Sequence, residues 1–435
     1  MRTRVLAALA AFILLASACD GTGGNGPTPG GTAGELSGEV DFLVFGDPEE
    51  LSAFRGAIDG FKDVQPEVAV NLIEASDRSD LIARLSTAFA GGRPPDLFLL
   101  NYRFYAQFAA RGVLEPIEPY VESSSAFSEE EFYEPPMEAF RFDGTLTCLP
   151  QNVSSLVVYY NRDAFADAGV VRPDAGWTWD DMVEIAQTLT IDRGNDGTVD
   201  QYGLGVDPEI IRLAPFVWSN GGEVVDDEDT PTRFTLDEPE AQEAFQKFVD
   251  LRRVHLVVPG EEEIESEDNE ARFLNGTTAM VMSSRRSVPS FRTITDFEWD
   301  VAPIPVLREP AGILHSDAYC MTKASENKAA AWAFMEFVLG PEGQRITSEV
   351  GRTVPSLREV AESDAFLDPS VPPASSQVFL DTIPVIRRVP NVSTWPEIED
   401  AVNPILETVF YETGDVAAAA RQIDEATREI FARAE

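Results

Sequence analysis

The sequence predicts an α/β protein of two lobes, each with a mostly parallel β-sheet flanked by helices. Strand and helix patterns alternate from residue 40 onward, which is typical of a parallel sheet with helices on both faces. The chain of 435 residues exceeds one typical hydrophobic core, so a second lobe is expected. The stretch Asp143 to Asp181 contains a turn signal and a strand pattern interrupted at Pro150, where the chain can pass from one sheet to another.

The chain begins with a predicted export signal. Two arginines precede an apolar run, Val5 to Leu15, that is too short to cross a bilayer, as in a signal peptide of residues 1–18. Small residues then lead to Cys19 in a pattern that resembles a lipobox, which predicts a lipid on this cysteine. An ordinary signal peptide with Cys19 unmodified is the alternative. Residues 19–38 are rich in Gly, Thr and Pro and predict a flexible tether.

The charge balance excludes some partners. With 33 Lys and Arg against 75 Asp and Glu, the formal net charge is −42. Such a surface is repelled by phosphate backbones and anionic lipids, so nucleic acid is not an expected partner. Any membrane attachment would then depend on the lipid at the N-terminus.

The first lobe is expected to begin at residue 39. Periodicity predicts strands at 40–45, 68–73 and 97–100, with helices after the first and second of them, from about residue 48 and from residue 80. Ligands of parallel sheets bind beyond the carboxyl ends of the strands. Asp47, Asn101 and Tyr102 follow two such ends and are candidate ligand contacts, although they also suit a helix cap, a turn residue and a core aromatic.

The second lobe is expected to contain strands at 156–160, 201–206 and 278–282. A helix is predicted from Asp237 to Val254, and the acidic stretch Glu261 to Glu270 is expected to be a solvated loop.

Six stretches in order carry a resemblance to a known family. They are PDLFLL at 95–100, LVVYYNRDAFADAG followed by TWDDMVEIAQTLT within 156–190, WSNGGEVVD at 218–226, FLNGTTAM at 273–280, FEWDVAPIP at 297–305 and VLGPEGQRITSEVGRTVPS at 338–356. Together they resemble family 1 extracellular solute-binding proteins of carbohydrate ABC transporters, of the maltose-binding-protein type.

The resemblance implies a type II periplasmic-binding-protein fold. Lobe one would comprise residues 39–150 plus 316–365, and lobe two residues 151–315 plus 366–435. It also implies a monomer outside the cytoplasm, anchored to the cell membrane by lipid, that binds a sugar or oligosaccharide between the lobes and delivers it to the permease subunits. The same fold binding a glycerol-phosphate-type compound or a polyamine is the alternative.

Further candidate contacts come with this interpretation. Sugars stack on aromatic rings and bond to amides, which suits Trp218 and Asn220, although a core tryptophan beside a Gly-Gly turn fits equally. Arg285 and its neighbour Arg286 stand where relatives often have a tryptophan. A guanidinium there can donate two hydrogen bonds to the hydroxyl groups along one edge of a sugar or to an anionic group. One of the two arginines is expected to be a structural ion-pair partner. The remaining candidates lie on the crossing segments and near the C-terminus: Asn152, Asp317 and Trp395.

The resemblance also places Cys148 and Cys320 on neighbouring crossing strands. In an oxidising exterior these two cysteines are expected to form a disulfide, with two unpaired buried thiols as the alternative.

No cofactor is expected. Asp192 to Asp200 resembles the first nine positions of a calcium loop, but it lacks an oxygen ligand at the third position, and Gly203 stands where a bidentate Glu is needed. A polar turn is the preferred interpretation, with calcium as the alternative.

An enzyme is not expected. The chain has two histidines and no HExxH, GxSxG or CxxC motif. A lipid-anchored glycosidase is a remote alternative, because a pair of catalytic carboxylates has no sequence signature.

Overall fold

A computed structural model of the chain describes residues 36–434. The strands are β1 Gly38–Phe45, β2 Val68–Ala75, β3 Leu97–Asn101, β4 Arg141–Phe142, β5 Thr145–Leu146, β6 Cys148–Pro150, β7 Val157–Asn161, β8 Met280–Ser283, β9 Trp299–Pro303, β10 Gly312–Ile313, β11 Asp317–Met321 and β12 Ile386–Arg387. The α-helices are α1 Pro48–Val64, α2 Arg78–Ala90, α3 Tyr102–Ala109, α4 Glu118–Glu122, α5 Glu134–Ala139, α6 Arg162–Ala168, α7 Trp179–Leu189, α8 Ile210–Ser219, α9 Pro239–Arg253, α10 Glu261–Ser266, α11 Asn269–Leu274, α12 Val288–Phe291, α13 Lys328–Leu339, α14 Pro341–Glu349, α15 Arg358–Ala361, α16 Asp364–Leu367, α17 Gln377–Asp381, α18 Trp395–Tyr411 and α19 Val416–Phe431.

The predicted signal peptide, Cys19 and most of the predicted tether lie outside the described residues. Between residues 36 and 434, no helix has the length and apolar character needed to span a bilayer.

The first sheet has the strand order β2-β1-β3-β11-β6. Strand β1 pairs in parallel with β2 and β3, and α1 and α2 provide the connections, as the alternating pattern predicts. Helix α1 begins after Asp47, whose carboxylate accepts a hydrogen bond from the backbone N–H of Glu50, and Pro48 suits its first turn. The buried face of α1 includes Phe54 and Phe61, at the spacing that predicted the helix.

Strand β11 runs antiparallel to both of its neighbours, β3 and β6. The reason is its origin: β11 enters the first sheet from the second part of the chain, so it starts at the edge where β3 and β6 end. Cys148 on β6 and Cys320 on β11 face each other in register, with Cα atoms 4.4 Å apart, and form a disulfide as expected.

The second sheet has the order β8-β7-β9, and β7 is antiparallel to both neighbours. The expectation of mostly parallel pairing therefore does not hold for these strands. Strand β7 is the first strand after the chain leaves the first sheet. It runs in the direction opposite to β8 and β9, which come later in the chain. The predicted strand at 201–206 is reduced to isolated bridges, including Tyr202 to Thr278 and Gly205 to Val281, both parallel.

One other segment differs from expectation. The acidic stretch Glu261 to Glu270 forms α10 and the start of α11 rather than a loop, because Glu263 accepts a hydrogen bond from the N–H of Gly260 at the helix start. Residues 210–219 form α8, a helix buried at every position, in spite of Pro215.

The remaining helices pack around the two sheets. Helices α1, α13 and α14 contact one another beside the first sheet, whereas α8, α9, α18 and α19 pack together on the side of the second. The described residues all belong to one compact unit. The lobe boundaries at residues 150, 315 and 365 stay a prediction.

Candidate functional site

A cavity of about 670 Å³ lies where the two sheets approach each other. It is reached by the carboxyl ends of β1, β3 and β8, the start of β11, and helices α8 and α18. Its charged and aromatic lining consists of Phe45, Glu50, Arg78, Arg103, Phe104, Asp207, Glu209, Arg212, Arg285, Arg286, His315, Asp317, Arg352, Glu399 and Asp400. Six arginines thus line one cavity in a protein with a net charge of −42.

Three of the predicted residues are linked by hydrogen bonds at one wall of this cavity. The amide nitrogen of Asn101 donates to Asp317 Oδ1 at 3.1 Å, and Asn152 Oδ1 accepts the backbone N–H of Asp317 at 2.7 Å. These residues stand at the end of β3, the start of β11 and just after β6, so the crossing of the chain brings them together. The other carboxylate oxygen of Asp317, Oδ2, can accept a hydrogen bond from a solute hydroxyl.

Arg352 occupies the adjoining wall. Its Nε lies 2.6 Å from Glu50 Oε2, and its Nη1 pairs with Asp47. Asp47 does not line the cavity; it caps α1 and holds Arg352. Burial raises the pKa of Glu50 to about 7, although Arg352 pulls it downward.

A buried ion pair links α3 with α18. Both oxygens of the Glu399 carboxylate accept from Arg103 Nη1, at 2.7 and 2.6 Å, and Trp395 Nε1 donates to Glu399 at 2.8 Å. Arg103 belongs to the helix after β3, whereas Glu399 belongs to a helix that packs with α8 and α9. The pair therefore connects the two sides of the cavity.

Arg285 lines the cavity, but its guanidinium is engaged by protein groups. It donates to the carbonyl of Gly351 at 2.7 Å and to the hydroxyl of Ser376 at 3.0 Å, and it lies over the rings of Phe366 and Phe379. Its burial lowers its pKa to about 9. The neighbouring Arg286 pairs with Glu270 at 2.5 Å. Arg285 thus holds two chain segments together.

Two other arginines of the lining have few partners. Arg78 lies 5.3 Å from the ring centroid of Phe45 and 5.5 Å from that of Phe104, and no ion pair or hydrogen bond within residues 36–434 engages its guanidinium. Arg212 is buried, its Nε and Nη1 lack hydrogen-bond partners, and the nearest carboxylate oxygen, of Glu209, is 3.9 Å from its Nε.

Besides Asp47, four other predicted contacts do not line the cavity. Tyr102 is buried, with its hydroxyl 3.5 Å from the N–H of Val389. Trp218 is also buried, and its ring is covered by the guanidinium of Arg387. The amide of Asn220 binds the backbone of α9.

Trp395, the fourth, has no exposed surface. Its indole N–H donates to Glu399, which does line the cavity. Aromatic residues at turns and helix starts suit a sugar platform and a core position equally. Here both tryptophans are buried: Arg387 covers the ring of Trp218, and the ring of Phe234 lies against Trp395.

Sequence reasoning missed Arg78 and Arg212. A signal existed for each of them. Arg78 follows the carboxyl end of β2, a parallel neighbour of β1, so it belongs to the same edge as Asp47. Arg212 is the lone charge within the apolar run Ile210 to Val217, where a buried charge calls for a partner.

The loop considered for calcium uses its carboxylates internally. Asp192 accepts hydrogen bonds from the backbone of Asp196 and Gly197, and Asp200 accepts the N–H of Arg193. Within residues 36–434, no group of three or more acidic, histidine or cysteine side chains is arranged to hold a metal ion. The calcium alternative stays untested.

Comparisons with known proteins agree with this architecture. Residues 46–345 match the family described as bacterial extracellular solute-binding protein. A maltotriose-binding protein of Pyrococcus abyssi is 22% identical over 379 residues, covering 85% of this chain and 78% of the relative. The sn-glycerol-3-phosphate-binding periplasmic protein of Escherichia coli K12 is 25% identical over 278 residues, covering 62% and 59%.

Among solved structures, an ABC substrate-binding protein from Listeria monocytogenes, in complex with cycloalternan, superposes with a TM-score of 0.81. It is 25% identical, and the match covers 90% of this chain and 98% of that one. The fold is that of the type II periplasmic binding proteins, of the maltose-binding-protein type. At the level of the family, such proteins act outside the cytoplasm in transport rather than in catalysis. The chain belongs to the bacterial extracellular solute-binding proteins.

Proposed function

We propose that this protein captures a sugar or oligosaccharide in the cavity between its two sheets and delivers it to the permease of an ABC transporter. The observation that carries the proposal is a cavity of about 670 Å³ lined from both sides by polar side chains. A relative that binds maltotriose and a similar structure that holds cycloalternan support a carbohydrate ligand.

The mechanism is closure of the two lobes on the solute. Asn101 and Asp317 approach from the first sheet, whereas Asp207 and Asp400 approach from the other side. A solute that contacts both sides binds the closed form more tightly than the open form and shifts the population toward closure. The closed complex is then what the permease recognises, and no covalent bond is made or broken.

The proposed location is the outer surface of the cell membrane, where a lipid on Cys19 holds a monomer. Such anchoring brings the loaded protein close to its permease. A Cys19→Ala variant should lose metabolic labelling by a radioactive fatty acid and should leave the membrane fraction. Labelling that persists in this variant would contradict the anchor.

A glycerol-phosphate-type ligand is the second candidate. The arginines of the lining favour it, because Arg78 and Arg212 keep buried N–H donors without hydrogen-bond partners among residues 36–434, and a relative binds sn-glycerol 3-phosphate. The same two arginines would repel a polycation that came close to them, which disfavours the polyamine alternative at that part of the cavity.

Thermal unfolding of the purified protein in detergent tests the proposal. The panel consists of glucose, maltotriose, glycerol 3-phosphate, spermidine and calcium chloride. A ligand that binds only the folded state stabilises it by about 2.7 kcal/mol at a hundredfold excess over its Kd, which raises the midpoint. A shift with a neutral sugar supports the main proposal, whereas a shift with glycerol 3-phosphate alone supports the second candidate. If spermidine alone shifts the midpoint, both are contradicted.

A further inference from the structure

We propose that the solute is a polyhydroxylated small molecule with one acidic group, a phosphate or a carboxylate, and that Arg78 and Arg212 bind that group. This inference rests on the proposed function, since it assumes that the cavity is the solute site. It narrows the class of ligand and assigns the two residues that select it.

Arg78 has the geometry of a prepared anion-binding group. Two aromatic rings, of Phe45 and Phe104, lie within 5.5 Å of its guanidinium carbon and restrict where the side chain can lie. Its Nε is buried without a hydrogen-bond partner in the described part of the chain, and no carboxylate there lies within ion-pair distance. An arginine positioned by rings, with unused donors, can bind a planar or tetrahedral anion at little cost in conformational entropy.

Arg212 contributes from helix α8. It is 5% exposed, yet Nε and Nη1 make no hydrogen bond with residues 36–434. Among residues 36–434 it forms one ion pair, with Glu209 at 3.9 Å, which is the outer limit of such a contact. A buried guanidinium with unmet donors is costly in the free protein, and an anionic ligand would offset that cost.

His315 lies near enough to four arginines, Arg78 and Arg212 among them, for their charges to affect its pKa. Burial lowers the pKa of His315 well below its ordinary value, and the charges of Arg212, Arg103, Arg286 and Arg78 lower it further. The imidazole is therefore neutral at neutral pH, with Nε2 lacking a partner among the described residues.

The other arginines of the lining are already engaged. Arg103 pairs with Glu399, Arg352 with Glu50, and Arg286 with Glu270. Arg285 is held by a carbonyl and a hydroxyl. An incoming anion therefore finds unused donors at Arg78 and Arg212. The carboxylates of Asp317 and Asp400 remain to accept hydroxyl groups, which explains why the solute should carry both kinds of group.

Isothermal titration of the full-length protein in detergent tests the inference. The probes are glucose 1-phosphate, glucuronate, glycerol 3-phosphate, inorganic phosphate, glucose and maltotriose. The variants are Arg78→Gln and Arg212→Gln, with Arg387→Gln as a matched control, because Arg387 covers Trp218 outside the cavity. We expect an acidic probe to bind, each cavity variant to weaken it about 10- to 100-fold, and the control to leave its affinity unchanged.

The pattern across probes separates the outcomes. Binding of glucose 1-phosphate or glycerol 3-phosphate but not glucuronate identifies a phosphate, and the reverse identifies a carboxylate. Binding of glucose or maltotriose with no binding of any acidic probe overturns the inference and leaves the proposed function intact. No binding by any probe contradicts both. If inorganic phosphate binds as tightly as the sugar phosphates, the hydroxyl groups of the solute contribute nothing to affinity. That result would overturn the inference in its stated form.

The unfolding temperature of the ligand-free variants distinguishes binding residues from structural ones. If Arg78 and Arg212 serve the ligand, replacing an unpaired guanidinium by a neutral amide should leave the midpoint unchanged or raise it. A lowered midpoint, together with equal losses of affinity for acidic and neutral probes, would show that these arginines hold the fold and would overturn the inference.

Discussion

Glu50 is a buried carboxyl whose titration should be visible in the stability of the protein. It is 6% exposed, lies 2.6 Å from Arg352, and has a pKa raised by burial to about 7. In the unfolded chain its pKa is near 4.5. Between those two values the folded protein binds one more proton than the unfolded chain, so the contribution of this group to stability is full below about pH 4.5 and is lost as the pH rises to about 7.

The Glu50→Gln variant tests this titration. Because glutamine has no proton to lose, the free energy of unfolding of the variant, relative to the unmodified protein, should rise by about 2–3 kcal/mol between about pH 5 and pH 8. Urea unfolding at a series of pH values measures the difference. Glu49→Gln, at an exposed neighbouring position, is the matched control and should show no such trend. Parallel curves for Glu50→Gln and the unmodified protein would mean that Glu50 stays ionised.

At the residue scale, position along a strand was enough to predict which side chains lie at the edge of the sheet. Asn101 and Asp317 line the cavity because both stand at one end of paired strands, in register. Trp218 and Trp395 were less predictable, since whether a ring faces a cleft or a core depends on side chains distant in sequence, here Arg387 and Phe234. Sequence also does not predict that Arg212 lacks hydrogen bonds to Nε and Nη1. Glu209 is close in sequence, yet its carboxylate stays 3.9 Å from Nε.

At the scale of elements, local patterns predicted strands and helices better than pairings. Strand β7 was expected from its run of β-branched and aromatic residues, but its antiparallel direction follows from where the chain crosses between the sheets. The acidic stretch from Glu261 is helical, and the N–H of Gly260 donates a hydrogen bond to Glu263 at the start of the helix. The number of charges in the stretch does not predict this hydrogen bond. Conversely, the pairing of β6 with β11 could be anticipated from the resemblance, and the disulfide with it.

That disulfide should contribute measurably to stability. It joins Cys148 and Cys320 across β6 and β11 and closes a loop over a sequence separation of 172 residues. A cross-link across a long loop lowers the entropy of the unfolded chain, so the double variant Cys148→Ala/Cys320→Ala should lose about 2–5 kcal/mol of unfolding free energy. Chemical denaturation of oxidised protein measures the loss.

Reduction supplies the control for the disulfide. Dithiothreitol should lower the unfolding midpoint of the unmodified protein and have no effect on the double variant. Alkylation of both cysteines after mild treatment with reductant would show that the bond has been reduced. If the unfolding midpoint of this reduced protein equals that of the oxidised protein, the disulfide contributes nothing to stability.

For the whole molecule, two sheets and a cavity between them follow from the order of the elements. The first sheet takes β1 to β3 from the start of the chain and β11 from residue 317 onward, so the chain must cross between the sheets. The cavity lies beside these crossings, and α3 is joined to α18 across it by the Arg103 to Glu399 pair. This arrangement could be expected from the family resemblance, whereas the electrostatic character of the cavity could not, because it depends on side chains from distant parts of the sequence.

The excess of acidic residues should make the stability of the whole protein depend on salt. The 75 acidic residues exceed the 33 basic ones, so most of the surface repels itself in the folded state. Surface ion pairs, which salt weakens, contribute only about 0–1 kcal/mol each, so the repulsion should dominate. Raising sodium chloride from about 10 mM to about 500 mM shortens the screening length from about 30 Å to less than 8 Å and should raise the thermal unfolding midpoint. Potassium chloride should raise the midpoint by the same amount. Sucrose of equal osmolality is the control, because it is excluded from the protein surface but does not screen charges. A midpoint that falls with chloride would show that surface ion pairs such as Arg387 with Glu223 matter more to the fold than the net charge.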